Sequence, residues 1–182
     1  MQTDLSSYNN SWYNTGASFF KRTLWFYINA VIFKTSILPS NAIKAALLRL
    51  FGAKIGVGVE LKPCINIKYP WFLKIGDYTW IGENVWIDNL TLVDIGSNVC
   101  ISQGAMLLTG NHDFSKSTFD LIVEPITIAT GAWIGAKAVV CPGVIVETHA
   151  VLTVSSVATK NLEAFGIYQG NPAVKIKDRQ IV

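Results

Sequence analysis

Charge is scarce in this chain. Only 15% of its 182 residues are Asp, Glu, Lys or Arg, and the formal net charge is +3. Nucleic-acid binding needs a concentrated basic face, so no nucleic-acid partner is expected; phosphorylated small ligands stay open. Cysteine is sparse and odd in number. Cys64, Cys100 and Cys141 stand far apart with no CxxC or metal-type spacing, and they read as reduced structural residues of a cytoplasmic protein. There are only two histidines, His112 and His149. A zinc site needs about three protein ligands, so a three-histidine centre is not expected and no metal is predicted. Long apolar runs are missing too. The cleanest, Leu24 to Phe33, falls well short of the ~20 residues of a spanning helix. The first fifteen residues, MQTDLSSYNNSWYNT, are polar without a basic start, so no secretory signal is expected.

What is present is apolar and periodic. Hydrophobic residues make up 51% of the chain and the mean hydropathy is +0.36. This excludes disorder, fits about one domain, and leaves apolar surface to be buried between subunits or against a membrane. From Ile55 an aliphatic residue returns every six positions: IGVGVE, LKPCIN, IGDYTW, IGENVW, IGSNVC, IATGAW, IGAKAV. The fourteen leading residues, from Ile55, Leu61 and Ile67 through Val146 and Leu152, are all aliphatic. Four places later, all but two are small or aliphatic; Trp71 and Asn111 depart. A helix stripe repeats at 3.6, and a plain strand at two without a glycine at fixed phase. A short strand plus a corner, with three units per triangular coil, satisfies both constraints and makes a solenoid. Ile55, Ile75 and Ile95 are 20 apart; Ile128 and Val146 are 18 apart.

Ahead of the array, residues 1–54 read as a polar arm followed by helices. The segment 19–38 is apolar and helical. It packs on the body, or, as a second reading, lies on a membrane surface with Trp25, Phe26 and Tyr27 near basic residues. Asn41 is expected to cap a second helix ending at Gly52. The array occupies 55–182, with one loop at 110–125 and a C-terminal segment at 160–182. The loop, TGNHDFSKSTFDLIVEP, breaks the array after its third coil. A structureless insertion of about fifteen residues in a compact fold is usually functional. It carries His112, whose imidazole can take a proton from a hydroxyl at neutral pH. Asn111 and Asp113 flank it and can orient the ring, bind substrate hydroxyls, or serve the turn. His149 is read as surface structure. Trp80, Trp86 and Trp133 hold outward positions; for Trp80 and Trp86 this points to a subunit interface.

The repeats, with LRLFGAKIG, YPW, ISQGAMLLTGNHDF, GAWIGAKAVVCPG and GNPA, resemble the hexapeptide-repeat acetyltransferases, in the branch of the colanic-acid-type and the galactoside and maltose O-acetyltransferases. The resemblance runs from about Leu47 to the C-terminus. It implies an all-β fold, a left-handed parallel β-helix with N-terminal helices and a protruding loop. It also implies an acetyl-CoA-dependent O-acetyltransferase acting on a sugar or exopolysaccharide intermediate, lipid-linked or not, as a homotrimer with sites between subunits. His112 would then be the general base for direct attack on the thioester, with no acyl-enzyme. Asn89 would contact the acceptor, with Asp94 a weaker candidate. Trp133, Gly135 and Ala136 would line the coenzyme A groove, the last two letting the pantetheine arm approach backbone amides. Val154 stands, with Thr153, where the family has Gly-Ala. Thr159 and Lys160 match a Thr-Lys pair that approaches the coenzyme phosphates, with Lys175, Lys177 and Arg179 adding charge. Two other readings remain at this level: acetyl transfer to an antibiotic or sugar amine, and a non-catalytic β-helix scaffold.

Overall fold

In a computed structural model, residues 2–182 are described. The hexapeptide array winds into a prism with three parallel faces. The first face stacks Lys54–Ile55, Leu73–Ile75, Val93–Ile95, Ile126–Ile128 and Ile145–Val146. The second stacks strands from Glu60–Leu61 to Gly166–Gly170, and the third runs from Asn66–Ile67 to Val157–Ala158. The ladders follow the sequence period: Ile55 lies beside Ile75, Ile75 beside Ile95, and Ile128 beside Val146. Ile95 pairs with Ile128 straight across the long break, so the insertion leaves the stack undisturbed. All fourteen leading residues are buried. Each aliphatic side chain taken from water stabilises the stack by about 1.5–3 kcal/mol.

The corners explain the rest of the pattern. In each of the eleven short corners, the third residue after the leading one has positive φ; Gly58, Asn84, Asn98, Gly104 and His149 are examples. This left-handed conformation favours Gly and Asn. Directly after the leading residue, Gly56, Gly76, Gly82, Gly96 and Gly135 each lie so close to the coil above that a Cβ would sit under 3.0 Å from its backbone.

A solenoid exposes the backbone edges of its end coils, which invite unwanted strand pairing. Here the N-terminal helices cover that edge with side chains. Helix α1 (Phe19–Ile28), extended by a π-helical turn at Asn29–Phe33, sends Trp25 Nε1 to the Ile67 carbonyl at 2.9 Å, and Asn29 Oδ1 accepts from the Ile67 amide. From helix α2 (Asn41–Leu50), Asn41 Oδ1 accepts from the Leu61 amide. Lys44 Nζ donates to the Leu61 and Lys62 carbonyls, and Arg49 holds those of Ile55 and Gly56. The cap of α2 is therefore Ser40, whose hydroxyl accepts from the Ile43 amide, and not Asn41 as the sequence suggested; Asn41 is taken by the coil edge. Trp25 and Phe33 are buried, so α1 packs on the body. At the far end, Gly166–Gly170 turns back antiparallel onto Ala173–Asp178. Among the described residues no helix is long and apolar enough to cross a membrane, and the three cysteines are free.

Candidate active site

The long break is not structureless. Gly110–His112 pairs antiparallel with Leu121–Val123, with His112 opposite Leu121, so it leaves the prism as a β-hairpin. Its root is fixed by Thr109, a fully buried residue. The Thr109 hydroxyl donates to the Asp88 carbonyl at 2.9 Å and accepts from the Leu90 amide at 2.8 Å. The hairpin thus grows from the corner between the third and first faces and is tied to the coil below.

His112 sits at the distal end of its strand, half-buried. Its Nδ1 lies 2.9 Å from the carbonyl oxygen of Phe119, and its ring stacks on the Phe119 ring at 4.4 Å and 9°. A carbonyl can only accept, so the proton of the neutral imidazole resides on Nδ1 and the lone pair on Nε2. Phe119 lies in the left-handed region, with a φ of 51°. A second ring comes from outside the loop: Tyr8 lies 5.7 Å from His112. The arm bearing Tyr8 is strapped down by the Asp4 amide on the Ser117 carbonyl, the Tyr13 hydroxyl on the Leu90 carbonyl, and Trp71 Nε1 on the Thr15 carbonyl.

The flanking residues take other roles. Asn111 Oδ1 accepts from the His112 amide at 2.8 Å, which orients the backbone and not the ring. Asp113 Oδ1 accepts from the Ser115 amide and hydroxyl. Those bonds, the hydroxyl's first, hold its carboxyl below the usual value. It is the turn residue of the hairpin tip, and its carboxylate makes no hydrogen bond to His112. Asn89, expected to meet the acceptor, is fully buried. Its Oδ1 accepts from the Tyr69 amide and its Nδ2 donates to the Tyr69 carbonyl, so its amide has no exposed face to offer a substrate. The outward residue is its neighbour Asp88, paired with Lys68 at 2.9 Å. Strand parity points this way, since Ile87 faces inward. Asp94 pairs with Lys74 on the first face.

The residues matched to the coenzyme site lie higher on the prism. Trp133 projects from the second face, 47% exposed, with Nε1 on the Ser102 hydroxyl at 2.9 Å. Ala136 and the exposed Val154 stack at the corner between the second and third faces, where the Ser155 amide meets the Ala136 carbonyl. Gly135 does not face solvent. It is buried, and a Cβ there would lie 2.6 Å from the Val154 nitrogen. The coil above therefore requires glycine at this position by itself. Thr159 and Lys160 are exposed at the corner that also launches the hairpin. Lys175 is held by Glu163 at 3.0 Å and Asp178 at 2.9 Å; these carboxylates, Asp178 first, push its ammonium above the usual lysine value. Arg179 donates to the Gly131 and His149 carbonyls, and His149 stacks on Phe165. Of this set, only Lys175 is held by carboxylates among the described residues; Arg179 is committed to backbone carbonyls, and Lys160 and Lys177 have no carboxylate partner. No hydrogen bond or ring contact joins His112 to any of them. Phe119 and Tyr8, the neighbours of the His112 ring, carried no signal in the sequence. Phe119 acts through a backbone atom, and Tyr8 lies in a segment without periodicity.

No family model matches the chain. A protein of Escherichia coli (strain K12) that carries the name colanic acid biosynthesis acetyltransferase WcaF is 38% identical over 176 residues, which cover 97% of each chain. A hexapeptide-repeat acetyltransferase of Vibrio cholerae, VCA0836, solved with acetyl coenzyme A, superposes with a TM-score of 0.81 at 23% identity, over 91% of this chain and 92% of that one. A galactoside acetyltransferase solved with coenzyme A superposes with a TM-score of 0.78 at 23% identity, over 88% and 82%.

Proposed function

Because the chain belongs to the hexapeptide-repeat acetyltransferases, enzymes built on a left-handed parallel β-helix, we propose that it moves the acetyl group of acetyl-CoA onto a hydroxyl of a sugar or exopolysaccharide intermediate. His112 Nε2 takes the proton of the acceptor hydroxyl as the oxygen attacks the thioester carbonyl carbon. The carbon–sulfur bond then breaks, and the departing thiolate recovers the proton from the imidazolium. The observation that carries this reading is the bond from Nδ1 to the Phe119 carbonyl at 2.9 Å, which leaves the other nitrogen free as a base. A scaffold would have no use for a tautomer fixed in this way.

The matched coenzyme residues make no contact with His112 in one chain, and Trp80 and Trp133 lie 57% and 47% exposed in one ladder on the second face. Both facts support a homotrimer whose sites lie at subunit boundaries, with Trp133, Ala136, Val154, Thr159 and Lys160 on the coenzyme side. Sedimentation should then give three times the 20.0 kDa chain mass. The cytoplasm, where acetyl-CoA is made and used, is the compartment that fits this chemistry.

The decisive variant is His112→Ala. It should fold, assemble and bind coenzyme A by calorimetry as the parent does. Thiol release with the best acceptor from a mass-spectrometric sugar screen should fall by about 10²–10⁴, the usual worth of general-base catalysis. Turnover close to the parent's would remove His112 from the chemistry.

A further inference from the structure

A groove of about 590 Å³ opens between α1 and the third face. It lies one coil below the root of the hairpin. Asp88 on its wall sits beside Leu108 in the parallel ladder, and His112 follows Leu108 by four residues, at most about 14 Å of chain. The N-terminal strap links the two places, with Tyr13 bonded to Leu90 and Tyr8 beside His112. The groove therefore belongs to the region an acceptor would occupy if one of its hydroxyls reached His112.

Its chemistry is specific. Lys68 is balanced by Asp88 at 2.9 Å. Arg22 and Lys34 also line the groove, and no carboxylate pairs with either among the described residues. Arg22 Nε is shielded from water without a hydrogen-bond partner, a costly state for a guanidinium donor. Two unbalanced cations, one with an orphaned and directional N–H, suit an anion with several oxygens. Phe19, Phe26, Tyr27 and Trp86 supply an apolar part of the wall, and Phe20, next to Phe19 on α1, is exposed as well. A neutral free sugar would use neither feature.

Resting on the acetyltransferase reading above, we propose that the acceptor is a diphosphate-linked sugar. Its diphosphate is held by Arg22 and Lys34, and its carrier group lies along the Phe26–Trp86 wall. The sugar end then points up the third face toward His112. The carrier is the lipid or the nucleoside that bears the diphosphate; either supplies the same anion.

The test is a titration followed by tryptophan fluorescence, since Trp86 and Trp25 line the groove. Saturating coenzyme A is present throughout, so that its own phosphate site is filled. Farnesyl diphosphate and UDP-glucose are the probes, with glucose as the neutral comparison. At least one diphosphate should bind saturably and glucose should not. Arg22→Ala and Lys34→Ala should each weaken that binding about tenfold or more, while His112→Ala leaves it intact. Tighter binding of farnesyl diphosphate assigns a lipid carrier, and of UDP-glucose a nucleoside. If no diphosphate binds, or if both cation variants bind as the parent does, the proposal is overturned. Its failure is separate from that of the function itself, which depends on transfer by the parent and its loss in His112→Ala.

Discussion

Replacing Gly135 with alanine separates two explanations of one glycine. By resemblance, Gly135 opens the coenzyme groove. In the structure its Cα hydrogen faces the next coil instead. An added Cβ would lie 2.6 Å from the Val154 nitrogen, 2.7 Å from the Thr153 carbonyl carbon and 2.8 Å from the Leu152 oxygen. All three are backbone atoms, so no side chain can swing aside. The coil must lift by several tenths of an ångström, at the point where the Gly135 amide meets the Leu152 carbonyl at 2.7 Å and the Ser155 amide meets the Ala136 carbonyl at 2.9 Å. Overpacking of this kind costs about 1–3 kcal/mol, and weakening a ladder hydrogen bond adds about 0.5–1.5 kcal/mol. The total is about 1.5–4.5 kcal/mol. At about 2–4 °C per kcal/mol for a chain of this size, Tm should drop by roughly 3–18 °C. Thermal unfolding followed by circular dichroism, beside the KM for acetyl-CoA, reads both explanations at once. An unchanged Tm with a raised KM would refute the stacking account and return Gly135 to the coenzyme.

Two further perturbations reach other parts of the molecule. Phe119→Gly keeps the carbonyl that holds Nδ1 and suits the φ of 51°, but it removes the ring stacked on His112. Aromatic stacking is worth about 0.5–1.5 kcal/mol, so kcat should fall roughly 2- to 13-fold with the KM for acetyl-CoA unchanged; an unaltered kcat would show that the carbonyl alone positions the histidine. Lys44→Met tests the coil-end cap through pH. Burial, the dominant influence, holds the Lys44 ammonium below the 10.5 of an unfolded lysine, and only the nearby Cys64 opposes it. Between the folded value and 10.5 the folded chain binds fewer protons than the unfolded one, so stability rises with pH across that window. Urea midpoints of the parent should climb as pH approaches 10.5 relative to those of Lys44→Met, and parallel curves would disprove the linkage.

The sequence and the structure agree where stacking repeats and part where it stops. The leading residues were legible because each one, from Ile55 to Leu152, meets the same surroundings a coil away. The end caps were not. Trp25 reaches Ile67 across 42 residues and Lys44 reaches Leu61 across 17, and nothing local marks a side chain destined for a bare coil edge. The burial of Asn89 was hidden for a subtler reason. The resemblance pointed to Asn89, whereas strand parity decides which side chain faces out. Ile87 points in, Asp88 points out, and Asn89 turns back beneath the corner to knot Tyr69. His112 was legible as a lone imidazole in an insertion. Its orienting partner was not, because a carbonyl belongs to every residue alike.

One corner collects nearly everything that departs from the period. Between the third and first faces, the step from one leading residue to the next is eight residues at Ile67–Ile75 and at Ile87–Ile95, twenty-one at Leu107–Ile128 and six at Val140–Val146. The other two corners stay at six within the array. A solenoid coil has only to close for its neighbours to stack, so one corner can change length freely if the faces keep register. The Asn89 knot, the Thr109 root, the hairpin bearing His112 and the strap of residues 4–15 all gather at that corner, and Thr159–Lys160 pass it in the last coil. The stability of the fold resides in two corners and three faces. The hairpin that carries His112, the base we propose, grows from the third corner, where a change of length leaves the register of every strand intact.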